Sequence, residues 1–263
     1  MTSFILPTFN EVRNIGAVID EIAVVCDRNK VPYEIVVVDD QSSDGTAEEV
    51  LRHSAINHKV RLIIRSEEKN LARSIRHGIS EAKGDYVLWM DADQSMSAQM
   101  FPCMLKKIQE GYDLVLGSRY LPQGRIKGYN PDLPGIPSIN MIRNLLQSKD
   151  SLFAVVISKV GNKILHHFFC KQITDFTSGY FLCDKKIFET LNLAGDSLEY
   201  SVRFSFEACS KGFKVAEVPM ICGTRKFGKS KIAASWRDLS LNIFRVVKTV
   251  YRLRTETPDG LAN

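Results

Sequence analysis

The stretch Ile35-Val36-Val37-Val38-Asp39-Asp40-Gln41-Ser42-Ser43-Asp44-Gly45-Thr46 decides the fold. Four β-branched residues in a row, with no polar break, predict a strand buried on both faces, the habit of a parallel sheet covered by helices. The run then passes into acids, hydroxyls and a glycine. Thr46-Ala47-Glu48-Glu49 reads as a capping box that opens a helix. Strand, polar turn and helix form the unit of an α/β chain.

The same unit recurs on either side. Phe4-Ile5-Leu6 is a short apolar run stopped by Pro7, and Ile15, Val18, Ile19, Ile22 and Val25 then recur at helical spacing. Val60–Ile64, Tyr86–Met90 and Leu114–Leu116 predict further strands, with helices over Asn70–Ala82 and Met100–Gln109 between them. This alternation predicts a mostly parallel sheet with helices on both faces. The second half is less regular. Residues 121–140 are rich in Pro and Gly and read as a loop or flap. Residues 141–169 look helical, Phe181-Leu182 and Val215–Val218 read as strands around a helix near 199–211, and 232–253 is one more helical pattern.

At 263 residues the chain is one large domain or one with a small appendage. Hydrophobic residues at 44% and charged residues at 25% exclude a mainly disordered chain. The net charge of +5 is too small to imply a nucleic-acid partner, and the basic stretch carries no base-reading motif. The charge is concentrated: residues 225–254 carry net +8 and leave the remainder at −3. The six cysteines stand apart, without a CxxC pair. Reduced thiols, no metal ribbon and a cytoplasmic protein are the expectation. No window approaches 18 uncharged apolar residues, so no transmembrane helix is predicted. Met1-Thr2-Ser3 runs straight into the first strand and leaves no room for a targeting sequence.

Open parallel sheets bind ligands at the carboxyl ends of their strands. Three predicted strands end in polar clusters: Pro7-Thr8-Phe9-Asn10-Glu11, Asp39–Gly45 and Asp91-Ala92-Asp93. In extended chain, Asp91 and Asp93 project to the same side. Two such carboxylates repel unless a cation lies between them. Hard divalent ions such as Mg²⁺ or Mn²⁺ suit them, completed by substrate phosphates. After a buried strand, beside two other acidic clusters, a metal is favoured over a solvated turn.

These clusters, in order with Gly117-Ser118-Arg119-Tyr120, Asp175-Phe176-Thr177-Ser178-Gly179, Glu217-Val218-Pro219 and Arg225-Lys226-Phe227-Gly228-Lys229-Ser230-Lys231, resemble the inverting family 2 glycosyltransferases of GT-A fold. Within them the set is similar to the dolichol-phosphate mannose synthase and polyprenol-phosphate hexosyltransferase branch, over roughly residues 3 to 232. The resemblance implies a GT-A domain over 1–231, with 121–157 as a flap on the acceptor side, followed by a basic amphipathic helix and tail over 232–263. It implies transfer of a mannose- or glucose-type hexose from a GDP- or UDP-sugar to a polyprenyl or dolichyl phosphate. Pro7, Phe9, Glu11, Val38 and Asp40 would contact base and ribose. Asp91, Ala92 and Asp93 would hold metal and diphosphate, and Arg119, Arg225 and Lys231 would meet phosphates.

The chain departs from the pattern in places. Gln41 stands where Gly is usual, Asn70-Leu71-Ala72-Arg73-Ser74 replaces a glycine-rich stretch, Ser95 stands where some members have Gln, and Phe181 replaces an Arg. Arg203 precedes Glu207, an exchange of the usual order of those charges, and 125–152 is long for the family. A lipid phosphate is already anionic and needs no general base, whereas a sugar hydroxyl needs one. Asp175 and Glu207 are the candidates, and neither is distinctive. Trp236, Leu239, Ile243, Val246 or Val247, and Val250 form an apolar stripe beside Arg237, Arg245, Lys248, Arg252 and Arg254, which suits a peripheral helix on an anionic membrane as well as one packed on the domain. The alternatives are a family 2 enzyme acting on a saccharide hydroxyl and a catalytically degenerate nucleotide-sugar-binding scaffold. A sugar-nucleotide-forming nucleotidyltransferase would want a glycine-rich phosphate loop where Asn10-Glu11 stands.

Overall fold

In a computed structural model, which describes residues 1–125, 152–196, 199–223 and 236–256, the predicted β-branched run is strand β2, Tyr33–Asp39, with every residue buried. It lies between β1 (Thr2–Thr8) and β3 (Val60–Ile64), parallel to both, with Thr8 opposite Asp39. Pro7 does not stop β1. Proline fixes φ in a range that a strand tolerates and removes only its own N–H. The remaining strands are β4 (Tyr86–Trp89), β5 (Leu114–Ser118), β6 (Phe181–Asp184) and β7 (Val215–Pro219), in the order β3-β2-β1-β4-β6-β5-β7. The sheet is mostly parallel, as expected. The exception is β6, which runs antiparallel between β4 and β5.

Alternation along the strands makes two cores. Phe4, Leu6, Ile35 and Val37 face helices α1 (Val12–Arg28), α2 (Thr46–Ile56) and α4 (Phe101–Gln109). Ile5, Val36, Val38 and Trp89 face α3 (Leu71–Glu81), α5 (Leu152–Phe168), α6 (Glu199–Ser210) and α7 (Trp236–Glu256). On that second side Trp89 stacks on Phe181 at 4.8 Å and meets Phe204 edge-on at 5.5 Å. Gly78 lets α3 lie close on the sheet: a Cβ there would fall 2.4 Å from Ile5 Cγ2 and 3.0 Å from Val38 Cγ2.

Three further expectations change. The capping box does not form, because the N-cap of α2 is Gly45 at φ +95°, and Thr46 is already helical. Its hydroxyl instead donates to Asp44 at 2.5 Å and accepts from the Glu11 N–H at 2.9 Å, while Glu49 pairs with Arg52 and His53. Cys170 and Cys209 are joined as a disulfide, contrary to the expectation of reduced thiols. They lie far apart in sequence, and only the packing of α5 and α6 in one core brings their Cα atoms to 6.5 Å. Residues 152–157 of the expected flap are the opening turns of α5, and most of the rest of that flap lies outside the described residues.

Candidate active site

Parallel pairing of β2, β1 and β4 places the three polar clusters side by side on one edge of the sheet. Each strand leaves that edge through a left-handed residue that is not glycine: Asn10 at φ 55°, Gln41 at φ 60° and Gln94 at φ 62°. Side chains rarely adopt this conformation without compensation, and such strain gathers at ligand-binding turns. Gln41 is the residue that replaces the usual Gly. It keeps the conformation a glycine would take, and its amide donates to the Glu67 carbonyl at 2.9 Å.

The first two turns are stitched together. Asp39 accepts from Thr8 Oγ1 at 2.8 Å and from the Ser42 N–H and hydroxyl at 2.8 and 2.6 Å. Ser42 Oγ accepts from the Asn10 N–H, and the Asn10 side chain accepts from the Ser43 N–H. Glu11 is buried and takes the Asn14 amide at 2.7 Å, while Asn14 in turn accepts from Gln94, beyond Asp93. Glu11 thereby ties the first cluster to the third. Phe9 is half-buried, and Lys69 Nζ lies 3.7 Å from its ring centroid. Pro7 lies within β1, and Val38 is wholly buried in the second core, so any ligand contact from Val38 comes from its backbone.

Asp40 is the anchor of the next loop. Its carboxylate pairs with the buried Arg65 guanidinium and accepts from Ser74 Oγ at 2.7 Å and the Asn70 N–H at 3.0 Å. Arg65 also binds Ser74 at 3.0 Å and Glu67 at 2.9 Å. The loop 65–74 that lacks the usual glycines is therefore held by an ion pair and the Asn70 cap. Sequence reasoning missed Arg65. Its signal was a lone arginine directly after a strand, on the edge where Asp40 stands.

Asp91 and Asp93 follow β4. Asp93 is nearly inaccessible and accepts the Ser95 N–H at 2.9 Å, a turn that leaves Ala92 buried between the two acids. Asp91 is half-buried, and the Thr177-Ser178-Gly179 loop passes beside it: a Cβ on Gly179 would lie 3.6 Å from Asp91 Oδ1. Among the described residues no group of three or more His, Cys, Asp or Glu forms a complete metal cage. Two carboxylates fit a hard divalent ion that takes its other ligands from diphosphate oxygens and water.

Arg119, at the end of β5, makes a bidentate pair with Asp175, Nε to Oδ2 at 2.7 Å and Nη2 to Oδ1 at 2.6 Å. Nη2 also donates to Thr177 at 2.8 Å. Burial alone would depress the Arg119 pKa, but the Asp175 carboxylate outweighs it and the net shift is upward. Glu217, from the Glu-Val-Pro segment, accepts from the Thr174 and Asp175 N–H groups, both at 2.9 Å, and from the Thr174 hydroxyl at 2.7 Å. Burial lifts the Glu217 carboxyl above its ordinary pKa despite these bonds. The three motifs thus form one relay: Glu217 fixes Asp175, and Asp175 fixes Arg119. From α5, Asn162 donates to Thr177 at 2.8 Å and Ser158 lies 3.0 Å from Tyr120 Oη. After β7 the chain returns to the acids, with the Gly223 N–H on the Ser95 carbonyl at 2.8 Å. Arg225 and Lys231 lie outside the described residues. Arg203 donates to Glu207 at 2.6 Å, so the exchanged charges still pair.

A family model described as "Glycosyl transferase family 2" matches residues 3–191. The chain belongs to that family. It is 29% identical to a dolichol-phosphate mannosyltransferase of Pyrococcus furiosus over 95% of this chain, and it spans 63% of that relative's length. It is 27% identical to a polyprenol monophosphomannose synthase of Mycolicibacterium smegmatis (99% of this chain, 91% of the relative). It is 28% identical to a dolichol-phosphate mannosyltransferase of Saccharomyces cerevisiae (88% and 80%). Among solved structures, glucosyl-3-phosphoglycerate synthase of Mycobacterium tuberculosis, in complex with Mn²⁺, UDP and phosphoglyceric acid, aligns with a TM-score of 0.67 at 17% identity, covering 96% of this chain and 78% of that one. Mannosyl-3-phosphoglycerate synthase of Rubrobacter xylanophilus aligns at 0.64 and 18%, covering 97% and 74%. At such identities the alignments establish the fold, a mixed α/β glycosyltransferase architecture.

Proposed function

We propose that this family 2 transferase moves a hexose from a nucleotide-diphospho-sugar to a polyprenyl phosphate, with inversion, working peripherally on the cytoplasmic face of a membrane. Residues 1–231 would form its GT-A domain and 232–263 its C-terminal basic amphipathic helix and tail. The relatives named for dolichol- and polyprenol-phosphate mannosyl transfer supply the acceptor class. The observation in this molecule that carries it is Asp175. Both its oxygens are bound by Arg119 and it is fully buried, so it is a positioning residue and not a base for a hydroxyl acceptor, and the other candidate base, Glu207, is held by Arg203.

Phe9, Glu11 and the backbone at Val38 line the edge where the nucleoside would lie, and Asp40 braces that pocket's far loop through Arg65. A divalent cation on Asp91 and Asp93 would supply positive charge against the diphosphate. Asp175 aligns Arg119 by occupying Nε and Nη2, so a phosphate contact from Arg119 falls to Nη1. A lipid phosphate oxygen, already anionic, attacks the anomeric carbon as the bond to the diphosphate breaks, and the leaving oxygen keeps the electron pair. Arg225 and Lys231 are proposed to hold the acceptor phosphate or the donor diphosphate.

The test offers radiolabelled GDP- and UDP-hexoses with Mg²⁺ or Mn²⁺ and polyprenyl phosphate in detergent. Label entering the organic phase with wild type, and not with Asp93→Ala, supports the reading, and the active donor names base and sugar. Metal-dependent donor binding without lipid labelling would move the assignment to a saccharide acceptor. Neither binding nor transfer would point to a degenerate scaffold. No helix among the described residues is long and apolar enough to cross a membrane.

A further inference from the structure

Helix α6 begins on the edge of the sheet that carries the site. Its last residue, Ser210, leads by a short turn into β7, which starts beside the amino end of β5, where the Asp113 N–H binds the Lys214 carbonyl at 2.8 Å. A helix of 12 residues spans about 18 Å, so its first turn, at Glu199, stands at the opposite edge, where the parallel strands end. Two contacts agree with that placement. Asp196, just before the helix, accepts from the Asn70 side-chain amide at 2.9 Å, and the Asn70 N–H in turn binds Asp40. Tyr200, the next residue along α6, is buried in the second core with Trp89, the last residue of β4. Burial raises the Tyr200 pKa, the Asp91 carboxylate raises it further, and a bond with Trp89 opposes both. The start of α6 thus lies between the loop braced by Asp40 and the acids that follow β4.

Glu199 is 7% exposed. Its Oε1 accepts the Asp196 N–H at 2.8 Å, the reach-back contact of a helix start. Among the described residues its Oε2 is buried and has no hydrogen-bond partner. The first contact holds the carboxylate in one orientation. The second oxygen is left with its desolvation uncompensated, which natural structures rarely keep without a use. Closing the helix needs one oxygen, and the helix dipole favours a negative charge there. Neither accounts for a second oxygen withdrawn from water.

Only a donor satisfies such an oxygen, and its charge repels anions. The proposed reaction brings a diphosphate and a lipid phosphate, whose oxygens accept and are themselves negative. It brings a base and a ribose, which belong to the edge of β1 and β2. What remains is the hexose, a neutral ring of hydroxyl donors joined to the diphosphate beside Asp91 and Asp93. We propose that Glu199 reads the hexose of the donor, with Oε2 accepting hydrogen bonds from its hydroxyl groups. This rests on the nucleotide-sugar reading and deepens it by naming a residue that selects the sugar. Glu199 holds the ring and moves no proton in the transfer. A site built to bind a hydroxyl rejects the sugar that lacks it, because the buried oxygen is then left bare.

The test is titration calorimetry of the full chain with Mn²⁺ against GDP and UDP, the matching nucleotide-hexoses, and monodeoxy forms of the hexose donor that binds. Glu199→Gln keeps an acceptor for the Asp196 N–H. It is expected to bind the nucleoside diphosphate as wild type does and the nucleotide-hexose about tenfold more weakly. With wild type, at least one monodeoxy donor is expected to bind about tenfold more weakly than its parent, and in Glu199→Gln that difference is expected to vanish. A variant that keeps the wild-type ratio of hexose to diphosphate affinity overturns the proposal. Equal loss for both ligands, which a cation of this chain deprived of its partner would give, also overturns it. Wild type that binds every monodeoxy donor as tightly as the parent overturns it even where the variant fails to fold. Donor binding does not depend on the acceptor. If the lipid-phosphate reading fails, the organic phase stays unlabelled while hexose binding still depends on Glu199. If the inference alone fails, wild type labels the lipid and hexose binding ignores Glu199→Gln.

Discussion

Changing Asp175 to Asn is the sharpest way to ask whether the Arg119 pair is structural scaffolding for the site. Asp175 is fully buried and the Arg119 side chain is 17% exposed. Asparagine keeps the size, but its one carbonyl oxygen satisfies only Nε or Nη2. Its amide then faces the other donor, and the guanidinium keeps its charge with no counter-charge. Removing one partner of a buried pair costs about 3–5 kcal/mol, and the exposed edge of Arg119 places this case near the lower figure. At about 3 kcal/mol, the midpoint of thermal unfolding falls by about 6–12 °C for a domain of this size. Circular dichroism melts of wild type, Asp175→Asn, Arg119→Met and the double variant complete a cycle. The double variant no longer strands a buried charge, so it should melt above Asp175→Asn by at least about 1 kcal/mol equivalent. A single variant within about 2 °C of wild type, or strict additivity in the cycle, would refute the reasoning.

Gly78→Ala places a methyl carbon against Ile5 and Val38 and is expected to destabilise by about 1–3 kcal/mol, read from urea midpoints. The Cys170–Cys209 bridge, spanning 39 residues, restricts the unfolded chain by about 3–4 kcal/mol. Reducing agent should lower the melting temperature of wild type and leave Cys170→Ser/Cys209→Ser unmoved, and mass spectrometry of alkylated protein should count four thiols before reduction. Burial pulls the Asp44 carboxyl upward, but hydrogen bonds from Thr46 and the Val12 backbone win, and its pKa lies below the ordinary value. Its stabilisation is thus fully present above the unfolded pKa of about 3.9 and is lost as pH falls below it, so Asp44→Asn should flatten the acid limb of the stability curve. Glu217→Gln removes an acceptor from Thr174 or Asp175, and is expected to cost about 1–3 kcal/mol although it also removes a buried charge.

The sheet was legible because its strands are apolar runs too short and too β-branched to be helices, and because each ends in a polar turn. Val60–Ile64 matches strand β3 at both ends. Asn70, expected to begin a helix, is its N-cap and accepts the Arg73 N–H at 2.9 Å. The direction of β6 was not legible. A strand of four residues carries no mark of polarity, and the long excursion before it decides which way it returns. Thr46 misled because its hydroxyl is taken up by the Asp44 carboxylate and by the Glu11 backbone N–H, across a turn that only the folded chain brings together. Among the proposed site residues, the order of motifs picked out Asp91, Asp93 and Arg119, and Asp175 with Glu217. It did not give their pairing, since Arg119 to Asp175 and Asp175 to Glu217 are long-range contacts that join the end of β5 and the middle of β7 to the loop before β6. Nor did any local pattern show that Asp40 and Arg65 share a buried charge pair.

The account turns on a lipid phosphate as the acceptor. The most direct measurement offers polyprenyl phosphate and an oligosaccharide together to the full chain, with its labelled nucleotide-sugar and Mn²⁺ or Mg²⁺. The products are then separated and weighed by mass spectrometry. One hexose added to the polyprenyl phosphate, abolished by Asp93→Asn and absent from the oligosaccharide, is the predicted result. A hexose on the oligosaccharide with the lipid unchanged would contradict it.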